Sequence, residues 1–436
     1  MVPVSASSVP AHPGAEDLHV DRVRELLHAL AAPEVLKAAR TEPLHACLGR
    51  VLAQDVMSAL NVPPHDNAAM DGYAFCGTAL RETAAAGAPS VQLQVVGTAL
   101  AGRPWHGTLA AGQALRIMTG AVMPRGADTV VPQEHCERQG EVVRVATSNL
   151  RPGAHRRRAG EDLAVGQCAV PAGTRLGPAA LGLLASLGLT AAPVLRPLRV
   201  AVFSTGDELL EPGQPPRDGA IYDSNRFTLL ALLTRLGCEA HDLGRIADRP
   251  AALEAALREA ALAHDVVITS GGVSMGDADH LRTVLQRLGQ IDFWRLAMRP
   301  GRPLAVGKLP VAAPKRHTLL FGLPGNPVAA MLSFLLFVRP TLLQLMGCNA
   351  AAQAAPPLVR ARAMQPIRKR PGRTEYQRGW LQSQPGDLPC VRIAADQGSA
   401  LLSSLQAANA LVVLPHASGS LDAGAEVDVL LLDTLL

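Results

Sequence analysis

The stretch Thr269-Ser270-Gly271-Gly272-Val273-Ser274-Met275-Gly276-Asp277-Ala278-Asp279 decides the fold of this chain. It follows a short apolar run, Val266-Val267-Ile268, and leads into a helical pattern. Two other polar loops, at residues 204–208 and 323–327, also follow short apolar runs and lead towards helices. This alternation of strand, polar loop and helix is typical of a parallel, doubly wound sheet. We therefore predict an α/β domain over residues 197–349, with the three loops meeting in one crevice at the carboxyl ends of the strands.

The residue types in these loops indicate a ligand. Glycines let the backbone turn sharply and point N–H groups at an anion, so the loops suit phosphate or an oxoanion. The loop carboxylates would repel that anion unless a hard cation such as Mg²⁺ lies between them, and we predict Asp223 and Asp279 as its ligands. The alternative is that these are ordinary βα turns, in which Asn326, Asp279 and Asp223 cap helices. The predicted substrate-binding residues of the loops are Ser270, Gly271, Gly272, Ser274, Pro324, Asn326 and Pro327.

A turn rich in arginine adds positive charge to the same domain. Residues 293–303 carry Arg299 and Arg302 around a Pro-Gly-x-Pro sequence. Directed at the predicted crevice, these cations would neutralise a bound oxoanion. We therefore add both arginines to the substrate-binding residues.

Composition excludes several classes of protein. The 436 residues include 41 Lys and Arg against 37 Asp and Glu, without an extended basic block, so we predict no nucleic-acid partner. The seven cysteines are scattered and show no CxxC spacing, which favours a reducing cytoplasm over a disulfide framework or a zinc site. The longest apolar run, residues 328–338, is interrupted at Arg339-Pro340 and is short for a bilayer, so we predict no membrane partner.

Sequence patterns outside the α/β domain predict three further domains. Residues 1–18 are rich in Pro, Ser and Ala and are predicted to be a disordered tail. Residues 19–65 and 164–196 contain helical patterns and are predicted to form one discontinuous domain. Between them, residues 66–163 have short Val-, Leu- and Thr-rich segments, which predict an inserted all-β domain. Residues 356–436 contain five β-like runs between Gly, Pro and Asp, which predict a small β-barrel.

Five motifs, in order along the chain, carry a family resemblance. They are NAAMDGYA at 67–74, RIMTGA at 116–121, FSTGDEL at 203–209, TSGGVSMGDAD at 269–279 and GLPGNPV at 322–328. Together they resemble the molybdopterin molybdenumtransferases of the bacterial MoeA type, which are similar to the E domain of gephyrin. The resemblance spans nearly the whole chain and implies a central domain like those of MoaB and MogA.

The resemblance implies a specific reaction. Members of this family take adenylylated molybdopterin and molybdate as substrates and, with Mg²⁺ or a similar cation, insert molybdenum into the pterin dithiolene and release AMP. Loop prolines Pro324 and Pro327 would rigidify the crevice wall. The residues that match the family's functional positions are Asp71, Thr119, Asp162, Glu208, Asp248 and Asp279.

The resemblance also implies partners. The family forms a homodimer with sites between subunits, so Asp71 and Thr119 are expected to serve the partner's crevice. Transient contacts are expected with the molybdopterin adenylyltransferase and with enzymes that receive the cofactor. Two alternatives have other functions: a molybdopterin adenylyltransferase built on the same α/β domain, and a scaffold like the receptor-clustering use of gephyrin. The additional domains argue against the first alternative, and the retained carboxylates argue against the second.

Overall fold

The computed structural model describes residues 17–148, 150–272, 280–311 and 317–435. Two of the predicted site residues, Ser274 and Asp279, lie outside these ranges. Within them, the chain forms a central α/β domain, a discontinuous N-terminal domain with an inserted β domain, and a C-terminal barrel.

A six-stranded sheet forms the centre of the α/β domain. Its strands are β1 Arg199–Thr205, β2 Glu239–Ile246, β3 Val266–Ser270, β4 Gln290–Arg295, β5 Pro303–Pro310 and β6 His317–Leu323. Their spatial order is β2-β1-β3-β6-β5-β4. Strands β2, β1, β3 and β6 run parallel to one another, and β5 is antiparallel to both of its neighbours.

Helices cover both faces of this sheet, as a doubly wound fold requires. Because successive side chains of a strand point to opposite faces, Val200 and Val202 of β1 enter one core while Ala201 and Phe203 enter the other. The first core packs helix Asn225–Leu236 and the helical stretch that follows β6. The second core packs the helices Pro250–Ala263 and His280–Leu288. The predicted doubly wound architecture is therefore confirmed.

The helical stretch after β6 continues past the end of the apolar run at residues 328–338. An α-helix, Pro327–Ser333, continues through a π-helical turn, Phe334–Val338, into a second α-helix, Arg339–Leu345. Proline normally ends a helix because it lacks an N–H and crowds the preceding turn. Here the wider π-turn precedes Pro340, and the Arg339 N–H donates to the Phe334 carbonyl five residues earlier. The interruption of the apolar run at Arg339-Pro340 therefore does not end the helix.

Among the described residues, this same stretch, Pro327–Leu345, is the one helix whose length and apolar composition would suffice to cross a membrane. However, 83% of its most apolar window is buried inside the protein. This burial is typical of the core helix of a folded domain.

Two separate parts of the chain build the N-terminal domain. Strand Ala39–Pro43 pairs with Ala191–Leu195, and Val56–Met57 pairs with Cys168–Val170, both antiparallel. Helix Pro178–Ser186 contributes Leu184 to the core of this domain.

The first helix, Val20–Ala31, packs elsewhere. Its buried residues Val23 and Leu27 belong to the core of the α/β domain. The residues just before it are fixed, since the Leu18 N–H donates to the Arg295 carbonyl at 2.7 Å. Asp17 and Leu18 thus differ from the disorder predicted for residues 1–18.

The inserted domain has a six-stranded sheet and one helix, Thr78–Ala85, which an all-β prediction did not include. Parallel pairing of two of its strands, Ser90–Ala99 and Gln113–Ile117, places the first two residues of the RIMTGA segment in the sheet, and the rest of the segment follows in a turn. In spatial order the strands are Thr129–Pro132, Gly72–Phe75, Gln113–Ile117, Ser90–Ala99, Val142–Ala146 and Cys136–Gln139.

Five strands of the C-terminal domain close into a barrel, as predicted. The sheet closes because Thr374–Gln382 pairs with both Cys390–Ile393 and Ala410–Leu414. The remaining strands are Val359–Ala363 and Glu426–Leu431, and a short helix, Leu402–Ala407, precedes the fourth strand.

The barrel is joined directly to the α/β domain. A two-residue strand, Met298–Arg299, pairs parallel with the start of the barrel strand Thr374–Gln382. The arginine turn is therefore held at the junction of the two domains.

Candidate active site

The three loops identified in the sequence meet at the carboxyl ends of β1, β3 and β6. The Gly271 N–H donates to the Leu323 carbonyl at 3.2 Å. The side-chain amide of Asn225 donates to Ser270 Oγ and to the Gly325 carbonyl, both at 2.7 Å. Asn225 is the first residue of helix Asn225–Leu236, so the helix that follows β1 ties the other two loops together.

Gly271 is required by the close approach of two strands. Its φ is +88°, a left-handed conformation that favours glycine. A Cβ at this position would lie 2.7 Å from the Thr205 carbonyl oxygen at the end of β1. The loop can therefore lie against β1 only because residue 271 has no side chain.

The loops line a crevice of about 690 Å³. Glu208 lies on one side and the arginine turn on another, while the C-terminal barrel supplies the remaining wall. The polar and glycine residues that line it are Glu208, Gly271, Gly272, Arg299, Gly301, Arg302, Gly325, Asn326, Arg373, Gln397, Gly398 and Ser399.

Carboxylates from two strand ends lie near one another beside this crevice. Burial raises the pKa of Asp248 most; His280 lowers it, and the charges of Asp207 and Glu208 raise it. Asp248 does not cap the next helix, whose N-cap is Arg249. Asp248 instead faces the carboxylates of the β1 loop.

The predicted metal ligand Asp223 is engaged by an arginine. Its Oδ2 accepts a hydrogen bond from Arg226 Nε at 3.0 Å, and its Oδ1 accepts from the Arg226 backbone N–H at 3.2 Å. Arg226 is only 3% exposed and also pairs with Asp242 and Glu211. The structure therefore favours the helix-capping alternative for Asp223, because its carboxylate is already satisfied.

The two predicted arginines have different surroundings. Arg302 Nε donates to the Asp17 carboxylate at 2.9 Å, whereas the nearest carboxylate to Arg299 is that of Glu375, at 3.9 Å. Gly301 between them has a φ of +99°, and a Cβ there would lie 2.8 Å from Ser333 Oγ. The turn is thus packed against helix Pro327–Ser333, with Arg299 the less engaged of the two cations.

Asn326 occupies the N-cap position of helix Pro327–Ser333, with Pro327 as the first helical residue. Its side chain makes no capping hydrogen bond and is exposed at the crevice. Pro324, one residue before Gly325, is buried. The loop thus presents an unengaged amide on a rigid support.

The predicted N-terminal site residues lie in the inserted domain and are not part of the crevice lining. Asp71 Oδ1 accepts hydrogen bonds from both the backbone N–H and the hydroxyl of Thr119, each at 2.7 Å. These two bonds hold the pKa of Asp71 below its usual range. Asp162 is exposed, and its N–H donates to the Val62 carbonyl. Among the described residues, no hydrogen bond or ion pair joins these three residues to the crevice.

Family models match the chain along most of its length. They are the MoeA N-terminal region (domains I and II) at residues 18–188, a probable molybdopterin binding domain at 201–344, and the MoeA C-terminal region (domain IV) at 360–432. The molybdopterin molybdenumtransferase of Haemophilus influenzae is 39% identical over 387 residues, which cover 88% of this chain and 92% of that protein. The chain belongs to the molybdopterin molybdenumtransferase family. The Bacillus subtilis relative of the same name is 33% identical, with 94% and 93% covered.

A solved structure agrees with this membership. The crystal structure of the molybdopterin biosynthesis moeA protein of Pyrococcus horikoshii matches with a TM-score of 0.78 and 26% identity, covering 95% of this chain and all of that one. Because the relatives that match most of this chain are named molybdopterin molybdenumtransferase, the adenylyltransferase and scaffold alternatives are not favoured.

The C-terminal region of the molybdenumtransferase family supplies crevice residues that the sequence analysis missed. Arg373, Gln397 and Ser399 line the crevice, and the Ser399 carbonyl accepts the Val328 N–H at 3.0 Å. The fully buried Arg378 holds the loop that carries them by donating to the Asp396 and Gly398 carbonyls, both at 3.1 Å. No local sequence pattern reports a contact between loops so distant along the chain; a cluster of cations at 368–373 was the available signal.

Proposed function

We propose that this protein inserts molybdenum from molybdate into adenylylated molybdopterin, with release of AMP. The observation that carries the proposal is the crevice in which three glycine-bearing strand-end loops face arginines from two domains. Such a crevice matches substrates that combine a phosphoanhydride with a tetrahedral oxoanion, since backbone amides and arginines both stabilise oxygen-centred negative charge.

Each wall of the crevice has its own role. Gly271 and Gly325 bring backbone close to the phosphates, and Asn326 offers a side-chain amide to the same ligand. Arg299 and Arg373 bind the oxoanion opposite. Glu208 and Asp248 position the attacking oxygen while the bond between the two phosphates breaks and AMP departs.

Mg²⁺ fits this crevice as a cation bound by oxygens of the protein and of the substrate together. Among the described residues, no group of three or more His, Cys, Asp or Glu side chains is close enough to hold a metal ion. Burial raises the pKa of Asp248 most, and the nearby carboxylates of Asp207 and Glu208 raise it further. These carboxylates support the proposal, since Mg²⁺ commonly binds through one or two carboxylates plus substrate phosphates. When bound, it would neutralise the phosphates; Asp248 and Glu208 would hold it, while Asp223 remains with Arg226.

We propose that the protein acts as a homodimer in which Asp71, Thr119 and Asp162 complete the partner's crevice. The support is that Asp71 and Thr119 form a preorganised pair in a domain that has no described polar contact with the crevice of its own chain. We further propose a cytoplasmic location, supported by seven cysteines that are all free. Brief contact with the molybdopterin adenylyltransferase and with enzymes that receive the cofactor would follow from the reaction.

The decisive experiment measures AMP release from adenylylated molybdopterin with Mg²⁺, with and without molybdate. Release should depend on molybdate and fall by about 10²-fold or more in Glu208→Gln, since a positioning carboxylate is lost. Glu259→Gln, an exposed helical glutamate of the same domain, is the matched control and should resemble the wild type. AMP release that ignores molybdate, or adenylylation of free molybdopterin from ATP, would refute the proposal.

A further inference from the structure

A second cavity of about 1130 Å³ lies beside the crevice, at the junction of the barrel and the α/β domain. It is strongly cationic: its charged lining consists of four arginines and one lysine against two carboxylates. Arg299 and Arg373 line both this cavity and the crevice, so the two spaces are neighbours that share a wall.

Both carboxylates of this second cavity are already engaged. Asp17 pairs with Arg302 and Arg295, at 2.9 Å and 3.1 Å. Glu375 is buried and accepts from Gln377 Nε2 at 3.0 Å. Glu375 also lies 3.9 Å from Arg299. The five cations outnumber the two carboxylates, so the lining keeps a net positive charge.

The cations of the barrel turn are displayed from a rigid support. Lys369 is 6% exposed, and its Nζ donates to the carbonyls of Ser418, Arg370 and His416 at 2.7, 3.2 and 3.4 Å. Ser420 Oγ also bonds the Lys369 backbone at both N–H and carbonyl. This clamp between two turns fixes the backbone on either side of Lys369.

The neighbours of Lys369 are the two exposed arginines, Arg368 and Arg370. Their carbonyls accept hydrogen bonds from Gln377 Nε2 and Lys369 Nζ, but neither guanidinium group makes a hydrogen bond or an ion pair among the described residues. Keeping like charges close without counterions is unfavourable unless an anion relieves the repulsion. The two arginines are therefore suited to an anion that carries more than one negative charge.

We propose that this second cavity, centred on Arg368 and Arg370, binds a free tetrahedral oxoanion and passes it to the crevice through Arg299 and Arg373. Planar guanidinium forks bind pairs of oxygens on such an anion. A cationic cavity at the entrance also raises the local concentration of the anion and its rate of capture. The site rests on the proposed function only for the identity of the oxoanion, molybdate.

Equilibrium dialysis of the full-length protein with molybdate alone tests the site without turnover. The wild type should bind more than one molybdate per chain at low ionic strength. The double variant Arg368→Gln/Arg370→Gln should lose one class of binding by about tenfold or more, because two charge-assisted contacts disappear. Arg368→Lys/Arg370→Lys, which keeps the charge, should retain most of it. Arg392→Gln removes an exposed barrel arginine outside the cavity and should bind like the wild type.

Three outcomes would overturn the proposal: undiminished molybdate binding in the double glutamine variant, an equal loss in Arg392→Gln, or stronger binding of AMP than of molybdate at this site. Kinetics separate it from the proposed function. If the reaction is as proposed, kcat/KM for molybdate should fall in the double variant and lose part of its dependence on salt. If the wild type binds molybdate but releases no AMP, the reaction is refuted while the oxoanion site stands.

Discussion

Asp248 links the pH of the solution to the binding of a cation. Burial raises the pKa of this carboxyl, His280 lowers it, and Asp207 and Glu208 raise it, with a net increase. A proton and Mg²⁺ compete for the same oxygens, so the cation binds only to the ionised form. The apparent affinity for Mg²⁺ should therefore increase as pH rises through this raised pKa and become constant above it.

The measurement is the Mg²⁺ concentration that gives half-maximal AMP release, from about pH 4 to about pH 8. Asp248→Asn should weaken Mg²⁺ binding and flatten its pH dependence. Asp292→Asn is the matched control: burial alone raises the pKa of Asp292, which lies in β4 and lacks the neighbouring carboxylates that face Asp248. An unchanged pH profile in Asp248→Asn would show that this carboxylate does not hold the cation.

The close contact at Gly271 predicts that adding a side chain there, in Gly271→Ala, should lower the rate of AMP release. In Gly271→Ala the new Cβ would meet the Thr205 carbonyl, so β1 and its loop must move apart and the crevice should open. We expect AMP release to fall by more than about tenfold, because small displacements of reacting groups are costly.

Gly188→Ala is the control that distinguishes the effect of this steric contact from the effect of backbone strain. Gly188 has a φ of +77°, but no atom lies within 4 Å of a Cβ built there. Both variants should lose about 1–2 kcal/mol of unfolding free energy from the left-handed conformation. Only Gly271→Ala should lose activity, as measured by AMP release beside thermal unfolding, and equal activities would contradict the proposed close approach.

At the scale of elements, Arg226 connects a helix, a strand and a loop. It lies in the first turn of helix Asn225–Leu236 and pairs with Asp223, with Asp242 of β2, and with Glu211, which follows Glu208 in the β1 loop. Removing one member of a buried charge network leaves the others uncompensated. Arg226→Met should therefore destabilise the protein by about 3 kcal/mol, at the lower end of the usual range because Asp242 and Glu211 are partly exposed.

Denaturant unfolding of Arg226→Met tests this, with Arg235→Met, an exposed arginine in the last turn of the same helix, as control. If Arg226 also positions the β1 loop, its variant should raise the KM for Mg²⁺ more than it lowers kcat. A stability equal to that of Arg235→Met would mean that the network contributes little.

The sequence was most informative where local pattern determines structure. Helices cover both faces of the central sheet, as the alternation of strand, polar loop and helix predicted, and five β-like runs became the five barrel strands. It failed where tertiary packing overrides a local signal. The end of the apolar run at Arg339-Pro340 does not mark the end of the helix, because the preceding π-turn makes room for Pro340. Asp223, predicted as a metal ligand, instead pairs with Arg226 in the first turn of the helix that it precedes.

At the scale of the whole molecule, the proposed shared sites predict complementation between two inactive variants. Asp71→Asn would damage what one chain offers its partner, and Glu208→Gln would damage its own crevice. A mixed dimer would keep one crevice with both groups intact, so re-associated mixtures should recover about a quarter of wild-type AMP release.

Separately purified Asp71→Asn and Glu208→Gln proteins, mixed under conditions that exchange subunits, provide the measurement. Mixing Asp71→Asn with Thr119→Ala is the control and should recover no activity, since both changes affect the same side of the proposed interface. No recovery in the first mixture, despite confirmed exchange, would place Asp71 in the crevice of its own chain or outside the reaction.

The crevice as a whole was only partly predictable. The strand-end loops were visible in the sequence because an apolar run followed by glycine and aspartate is a local pattern. Arg373 and Ser399 were not, because their position depends on how the barrel packs against the arginine turn, through Met298–Arg299 and the Val328–Ser399 hydrogen bond. Such contacts between domains are fixed by shape, which no short motif encodes.

The discontinuous N-terminal domain affects how this protein folds during its synthesis on the ribosome. Strand Ala39–Pro43 has no partner until Ala191–Leu195 has been synthesised, whereas every strand of the inserted sheet is complete by Ala146. The inserted domain can therefore fold while strand Ala39–Pro43, already outside the exit tunnel, is still without its partner strand. The order in which the segments of this chain are synthesised thus differs from the order in which its domains can fold. The N-terminal segment remains unfolded for the longest time and needs protection from aggregation throughout it.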